Sequence, residues 1–177
     1  KGVHATGKTL WSYNCGYGYS RPVGPNLKNI NIVAEYRNAA LFNVRYGATG
    51  MGYWCYNYGG DTWTRVDMEY MIVYPGKDKP VTSRRWEAVR ESIEDARILL
   101  ALKSIPLRSD IRVSEEAVKR IQHLVGVSLP AMIDPSYEEM RIGLGRYVLD
   151  NRNNDETVRA FRNEMLDCVE ALSAAVK

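Results

Sequence analysis

The chain has 177 residues, 45% hydrophobic and 25% charged, a globular composition that sets aside disorder and fibrous classes. That length holds one ordinary domain, or a smaller α/β unit with a helical appendage. A net charge of +3, with no block of like charges, leaves no footprint for nucleic acid or an anionic membrane, and no apolar run approaches the roughly 18 residues of a membrane span.

The start, Lys1-Gly2-Val3-His4, has neither an initiator Met nor the apolar core of a signal peptide, so a processed chain or a fragment is expected. Residues 9–15 (TLWSYNC) form a short aromatic run bounded by Gly and read as a strand, and 16–29, rich in Gly, Pro and Asn, read as a loop. Over 30–46, apolar Val33, Tyr36, Ala40, Leu41 and Val44 recur at helical spacing, and Gly47 stands where a C-terminal cap belongs. Residues 50–58 (GMGYWCYNY) are nearly all apolar or aromatic, the pattern of a strand covered on both faces. Two such strands around a helix predict a βαβ unit with parallel strands.

After a loop at 59–61, residues 66–74 read as extended and close on Pro75-Gly76. From Ser83 to about Lys103 the period is helical, with Trp86, Val89, Ile93, Ala96 and Leu100 as the expected buried stripe. Residues 104–113 (SIPLRSDIRV) read as a domain boundary, and three helices are expected beyond it. One follows Ser114 and ends near Gly126; one opens at the capping box Ser136-x-x-Glu139; the last starts near Asn154 and carries Val158, Phe161, Met165, Cys168, Leu172 and Ala175 as a seam.

Three of the four Trp and ten of the twelve Tyr precede Ser83, so the two halves have different tasks: sheet and ligand-facing loops first, helical packing second. The cysteines, Cys15, Cys55 and Cys168, are odd in number and lack CxxC spacing, which points to neither a disulfide framework nor a zinc cage; Cys15 with Cys55 is the pair to test for a bond. His4 and His123 are too few for a histidine-rich metal site or a Ser-His-Asp triad. Gly16-x-Gly18 lacks the third Gly of a dinucleotide fingerprint. No cofactor is expected.

The strand LWSYNCGY with its Gly/Pro/Asn loop, the stretch EYRNAALFNVRYGATGMGYWCYNYGGDTW, and the segment VYPGKDKPVTSRRWEAVRESIEDARILLAL occur in that order between Lys8 and Leu102. Together they resemble the C-terminal part of the (β/α)₈-barrel glycoside hydrolases of family 123, which includes β-N-acetylgalactosaminidases. The resemblance implies an α/β fold: residues 1–103 as the C-terminal part of a TIM barrel, with its seventh and eighth strands and closing helix, and 104–177 as a helical extension. It also implies a retaining mechanism in which the substrate's acetamido group is the nucleophile, assisted by an adjacent Asp-Glu pair earlier in the barrel. The only Asp-Glu dipeptide here, Asp155-Glu156, follows Asn153-Asn154 at the start of the last helix, where negative charge complements the helix dipole. The catalytic pair is therefore not carried over; it lies in sequence outside these residues or the chain hydrolyses nothing. A secreted or periplasmic setting is favoured by the resemblance alone.

Barrel enzymes place their sites at the C-terminal ends of the strands, so the expected substrate-binding residues are Trp11, Tyr13 and Asn14 on one strand, Trp54, Tyr56 and Asn57 on the next, and Asp61 and Trp63 in the following loop. Sugars present flat C–H faces and rings of hydroxyls, which aromatic faces beside amides and carboxylates can hold. The competing reading is that these rings fill a barrel interior. Alternation puts Trp54 and Tyr56 on one face and Tyr53, Cys55 and Asn57 on the other, so one set faces the helices. Glu94-Asp95 points two ways from one helix, and Arg90 with Glu94, with Arg84 or Arg97 nearby, reads as an ion-pair cluster seating that helix. Asp67 and Glu69 share a strand face and read as solvated. The expected partners are a carbohydrate ligand and either the remainder of the barrel or a second copy of the chain. The function expected is sugar binding within a glycoside hydrolase-like site for β-linked N-acetylhexosamine; the alternative is a non-catalytic carbohydrate-binding or scaffold protein. A third reading makes the chain a helical interaction module whose aromatic half is only core.

Overall fold

The computed structural model describes residues 6–15, 33–54, 56–57, 72–134 and 155–175, apart from the side chains at 14, 15, 34, 35, 54, 155, 174 and 175. Strand β1 (Trp11–Cys15) leads to helix α1 (Val33–Tyr46) and then to strand β2 (Gly50–Trp54). The two strands pair in parallel, Trp11 opposite Gly50 and Cys15 opposite Trp54, so the expected βαβ unit is present. Tyr36, Ala40, Leu41 and Val44 are buried, the face that their spacing predicts. Gly47 ends α1 at φ 71°, and the Ala48 N–H donates back to the Asn43 carbonyl at 2.9 Å, the six-to-one bond of a Schellman cap. The chain thus reverses in three residues, and the Asn43 side-chain amide donates to the Gly50 carbonyl at 3.0 Å, fixing the entry to β2.

Strand β2 stops at Trp54, short of the expected 58. Tyr56 lies in a bend, and its carbonyl accepts the Val73 N–H at 3.0 Å. The aromatic run outlasts the strand because Tyr56 packs edge-on against Trp86, with ring centroids 5.8 Å apart. Alternation along the strand therefore does not extend to Tyr56 and Asn57. Of the expected extended stretch at 66–74, residues 66–71 lie outside the described ones. Val73–Tyr74 form β3, which pairs antiparallel with β4 (Val81–Thr82), a hairpin that periodicity missed because each arm has two residues. A Cβ on Gly76 in its turn would overlap the Lys79 carbonyl oxygen.

Helix α2 (Arg84–Ser104) starts at Ser83, whose hydroxyl accepts from the Trp86 N–H at 3.1 Å and donates to the Ile72 carbonyl. Its buried face is Ala88, Val89, Ser92, Asp95, Ala96, Leu99 and Leu102. Val89 and Ala96 are buried as expected, but Ile93 is 37% and Leu100 51% exposed, so the predicted stripe is turned partly outward. The cause is Ser92: fully buried, its hydroxyl accepts the Ala40 N–H at 2.9 Å and lets α1 and α2, the most extensively packed helix pair, approach closely.

A 3₁₀ turn (Ile105–Leu107) and a segment at 108–112, exposed apart from the half-buried Ile111, lead to α3 (Glu115–His123), capped by the Ser114 hydroxyl, which accepts from the Ala117 N–H at 3.2 Å. The helix does not end near Gly126. It widens into a π turn (Leu124–Ser128) and continues as α4 (Leu129–Ile133). Pro130 lacks the N–H that would bond back to Gly126 and its ring crowds that carbonyl, which the wider turn relieves; the Leu129 N–H reaches back five residues to Leu124. The capping box at 136–139 lies outside the described residues. The last helix, α5 (Asp155–Ala175), buries Val158, Phe161, Met165 and Cys168 as its seam predicts.

One core cluster joins Ala40, Leu41 and Val44 of α1 and Ala96, Leu99 and Leu102 of α2 with Ile121, Leu129, Met132, Phe161 and Met165 from beyond the 104–113 segment. A smaller cluster of Tyr36, Ile72, Ala88 and Val89, with Met51 and Tyr53 against it, lies between the sheet and helices α1 and α2. The helices therefore cover one face of the β1–β2 sheet.

Candidate functional site

Two faces of the sheet have opposite characters. On the helix side, Tyr53 packs against Tyr36 with centroids 5.5 Å apart, and its hydroxyl lies 3.7 Å from the Met51 sulfur. Burial pushes the Tyr53 phenol up, so it stays protonated. The other face carries Trp11 and Tyr13, 68% and 65% exposed, beside Gly50 and Gly52. A Cβ built on Gly50 would lie 2.8 Å from Cδ2 and Cε2 of Trp11, and one on Gly52 would lie 3.2 Å from Cδ2 of Tyr13.

The strands are level, with Cys15 beside Trp54 at their C-terminal tips. Tyr56 and Asn57 are exposed immediately beyond β2. Tyr13, Tyr56 and Asn57 thus stand toward one end of the sheet, whereas Trp11 begins β1, four residues before its tip. The side chains of Asn14 and Trp54, and all of Asp61 and Trp63, lie outside the described residues, as do Cys55, Asp67 and Glu69. The first turn of α2, which holds Trp86 against Tyr56, is at this same end.

The acidic residues divide by helix geometry. Glu94 faces outward and pairs with Arg90 at 2.6 Å as the spacing predicts; the third member is Glu87, 2.9 Å from Arg90, in place of Arg84 or Arg97, and because all three groups belong to the exposed face of α2 itself the pair does not seat that helix on its neighbours. Asp95 points inward and is 1% exposed; Arg162 Nε of α5 stands 3.4 Å from its Oδ1, an atom without a hydrogen-bond partner. Burial holds the Asp95 carboxyl above its ordinary value against the pull of Arg162 and Arg37. Arg37 of α1 pairs with Glu91 at 2.9 Å, so two arginines and two carboxylates bind α1, α2 and α5 together. The ion pair expected from sequence spacing is the outward Arg90–Glu94, whereas this inward cluster, with Arg162 brought in from α5, could be found only from the fold.

Among the described residues, open clefts lie beside the helices at two places. One, of about 420 Å³, lies between α3 and α5 beside His123, Lys119 and Cys168; the Cys168 thiol is buried and its pKa is pushed up by that burial, so it is an inert packing group. The other, of about 580 Å³, lies where α1 and α2 begin and is bordered by Arg37, Arg84, Glu87, Glu91 and Arg159. Among the described residues no cluster of His, Cys, Asp and Glu could hold a metal ion, and no helix is long and apolar enough to cross a membrane.

Residues 2–102 match the family model described as Glycoside hydrolase 123, catalytic domain. The chain belongs to this family. The match covers more than half of the chain and takes in β1, α1, β2, the hairpin and nearly all of α2, which gives the aromatic sheet a glycoside hydrolase context. No curated protein and no solved structure matches the chain. The glycine seats beneath Trp11 and Tyr13 were not singled out from sequence. Their signal was present in Gly50-x-Gly52 set against Trp11-x-Tyr13 at the same spacing of two.

Proposed function

We propose that residues 1–103 supply the last two strands and closing helix of a (β/α)₈ barrel, that 104–177 form a helical extension packed on the same core, and that the strand tips line a pocket for a β-linked N-acetylhexosamine. The observation that carries this reading is the level, parallel pairing of β1 and β2, with Tyr13 open on the face away from the helices and Tyr56 and Asn57 open just beyond the tip. The rings offer apolar faces to the C–H face of a pyranose, and Asn57 offers an amide that can donate to and accept from sugar hydroxyls. In this reading Trp11, Tyr13, Asn14, Trp54, Tyr56, Asn57, Asp61 and Trp63 contact the sugar, with Trp11 deepest along the wall. The chemistry calls for no cofactor.

Hydrolysis in the substrate-assisted mode needs a carboxylate pair to orient and polarise the acetamido group and to protonate the leaving oxygen. Asp155 and Glu156 open α5 and Asp95 is buried against Arg162, so neither serves. The alternative reading is a carbohydrate-binding protein that holds sugar without cleaving it. Titration with N-acetylgalactosamine while following tryptophan emission tests the pocket, with quenching expected for the native chain and lost in Tyr13→Ala. Release of nitrophenol from a nitrophenyl β-N-acetylgalactosaminide separates hydrolysis from binding alone. A flat emission titration with N-acetylhexosamines and other monosaccharides would remove both readings in favour of a helical interaction module.

A further inference from the structure

The atoms of Trp11 nearest to Gly50 are Cδ2 and Cε2, the two ring-fusion carbons, with Cγ next; a Cβ at position 50 would stand 2.8, 2.8 and 3.1 Å from them. Fusion carbons carry no hydrogen and have no outer edge, so a group can approach them this closely only through the face of the ring. The Trp11 indole therefore lies face-down on the β2 backbone at Gly50, and its 68% exposure belongs to the opposite face and rim. One pleat further on, Tyr13 meets Gly52 along one side of its ring only, Cδ2 at 3.2 Å and Cε2 at 3.8 Å from the position of an added Cβ. Any side chain at 50 would occupy space within the ring's own contact distance, and because Trp11 is so exposed, the ring would lift off before the strand moved.

We propose that Gly50 is a positioning residue of the sugar-facing wall: lacking a Cβ, it seats the Trp11 indole flat on β2, while Gly52 leaves room for the side of the Tyr13 ring, so the open sheet presents the face of Trp11 in place of an upright ring. The part concerning sugar rests on the proposed pocket; the seating rests on the geometry alone. A flat indole keeps the space before the sheet clear and meets a pyranose face to face, whereas an upright one would fill that space and offer an edge.

The test compares Gly50→Ala, Gly52→Ala and a Gly126→Ala control, whose added Cβ meets nothing within 4 Å. Trp11 emission is isolated by subtracting the spectrum of the corresponding Trp11→Phe chain. In Gly50→Ala, collisional quenching of Trp11 by acrylamide should rise, since a lifted ring exposes both faces, with a smaller change in Gly52→Ala and none in Gly126→Ala. Unchanged quenching in Gly50→Ala overturns the seating. If Gly50→Ala fails to fold, Trp11→Ala with Gly50→Ala should restore the far-ultraviolet circular dichroism, because the clash has gone; failure to restore it overturns the seating equally.

For a native chain that binds N-acetylgalactosamine, affinity should fall about tenfold in Gly50→Ala and no further in Gly50→Ala combined with Trp11→Ala. Unchanged affinity despite a lifted ring would overturn the sugar-facing role. If the native chain does not bind the sugar, the pocket reading falls and the sugar-facing role with it, while acrylamide still decides the seating.

Discussion

At Asp95 a carboxylate with 1% exposure faces Arg162 at 3.4 Å, and the cost of taking its charge out of water outweighs the attraction of Arg162 and Arg37. Its folded pKa lies above the ordinary 3.8, so the folded chain binds this proton more tightly than the unfolded chain does. The native chain should therefore lose stability relative to Asp95→Asn as pH rises from about 3.8 through the raised folded value, with a constant difference above it. Urea midpoints of both chains across that range measure it. A pH-independent difference, or one of opposite sign, would rule out the ionised Asp95 as a destabilising group. Asp134 supplies the opposite sign within the same titration: Arg45 at 2.6 Å and the Tyr46 hydroxyl at 3.0 Å hold its carboxyl below 3.8. Its contribution is present above that value and lost as pH falls through the lowered one. Both partners are about one-third exposed, so Asp134→Asn should cost at most about 1 kcal/mol at neutral pH.

The packing of α2 turns on Ser92, which seats its hydroxyl under the Ala40 N–H of α1. Ser92→Ala should cost about 1–2 kcal/mol by leaving that acceptor missing in a buried crossing, and Ser92→Leu about 1–3 kcal/mol or more by forcing the helices apart. The neighbouring Ile93→Ser, on the outer face, should stay within about 1 kcal/mol. Chemical denaturation ranks the three, and a larger loss at Ile93 than at Ser92 would reverse the assignment of the buried face. This pair of residues also shows why α2 was legible as a helix but not in its orientation. Hydrophobic spacing finds the period, while a polar residue buried for close approach and a carboxylate paired to a distant arginine both read as surface. The same division runs through the chain. Gly47, Ser83 and Ser114 mark helix ends through local chemistry and could be read directly. The end of β2 and the passage of α3 through Gly126 depend on Tyr56 meeting Trp86 and on Pro130 acting four residues upstream, contacts that no single window contains.

For the molecule as a whole, the larger core cluster among the described residues runs from α1 to α5, and the ion pairs from Arg162 to Asp95 and Glu91 fasten the last helix to the family-matched region. The parallel sheet and its aromatic face could be anticipated because strand runs and the intervening helix are local patterns. Which rings lie flat could not, since that depends on the cross-strand register of Trp11 with Gly50. Among the described residues the β1–β2 sheet has two strands, one face covered by helices and the other carrying Trp11 and Tyr13. Two strands cannot close a barrel, and edges that pair with no other described strand, beside an exposed aromatic face, favour pairing with another chain. Expressed by itself, this chain should therefore associate, and sedimentation velocity should give a mass that rises with concentration. Backbone pairing and apolar contact resist salt screening, so 1 M salt should not dissociate the assembly, whereas an association held by surface ion pairs would weaken sharply. Gly52→Lys, which places a charge on the open face, should shift the chain toward monomer while leaving the helical circular dichroism intact. A monomer over the whole concentration range would mean that the face and edges are already satisfied within the chain, and the partial-barrel architecture would fall with the association.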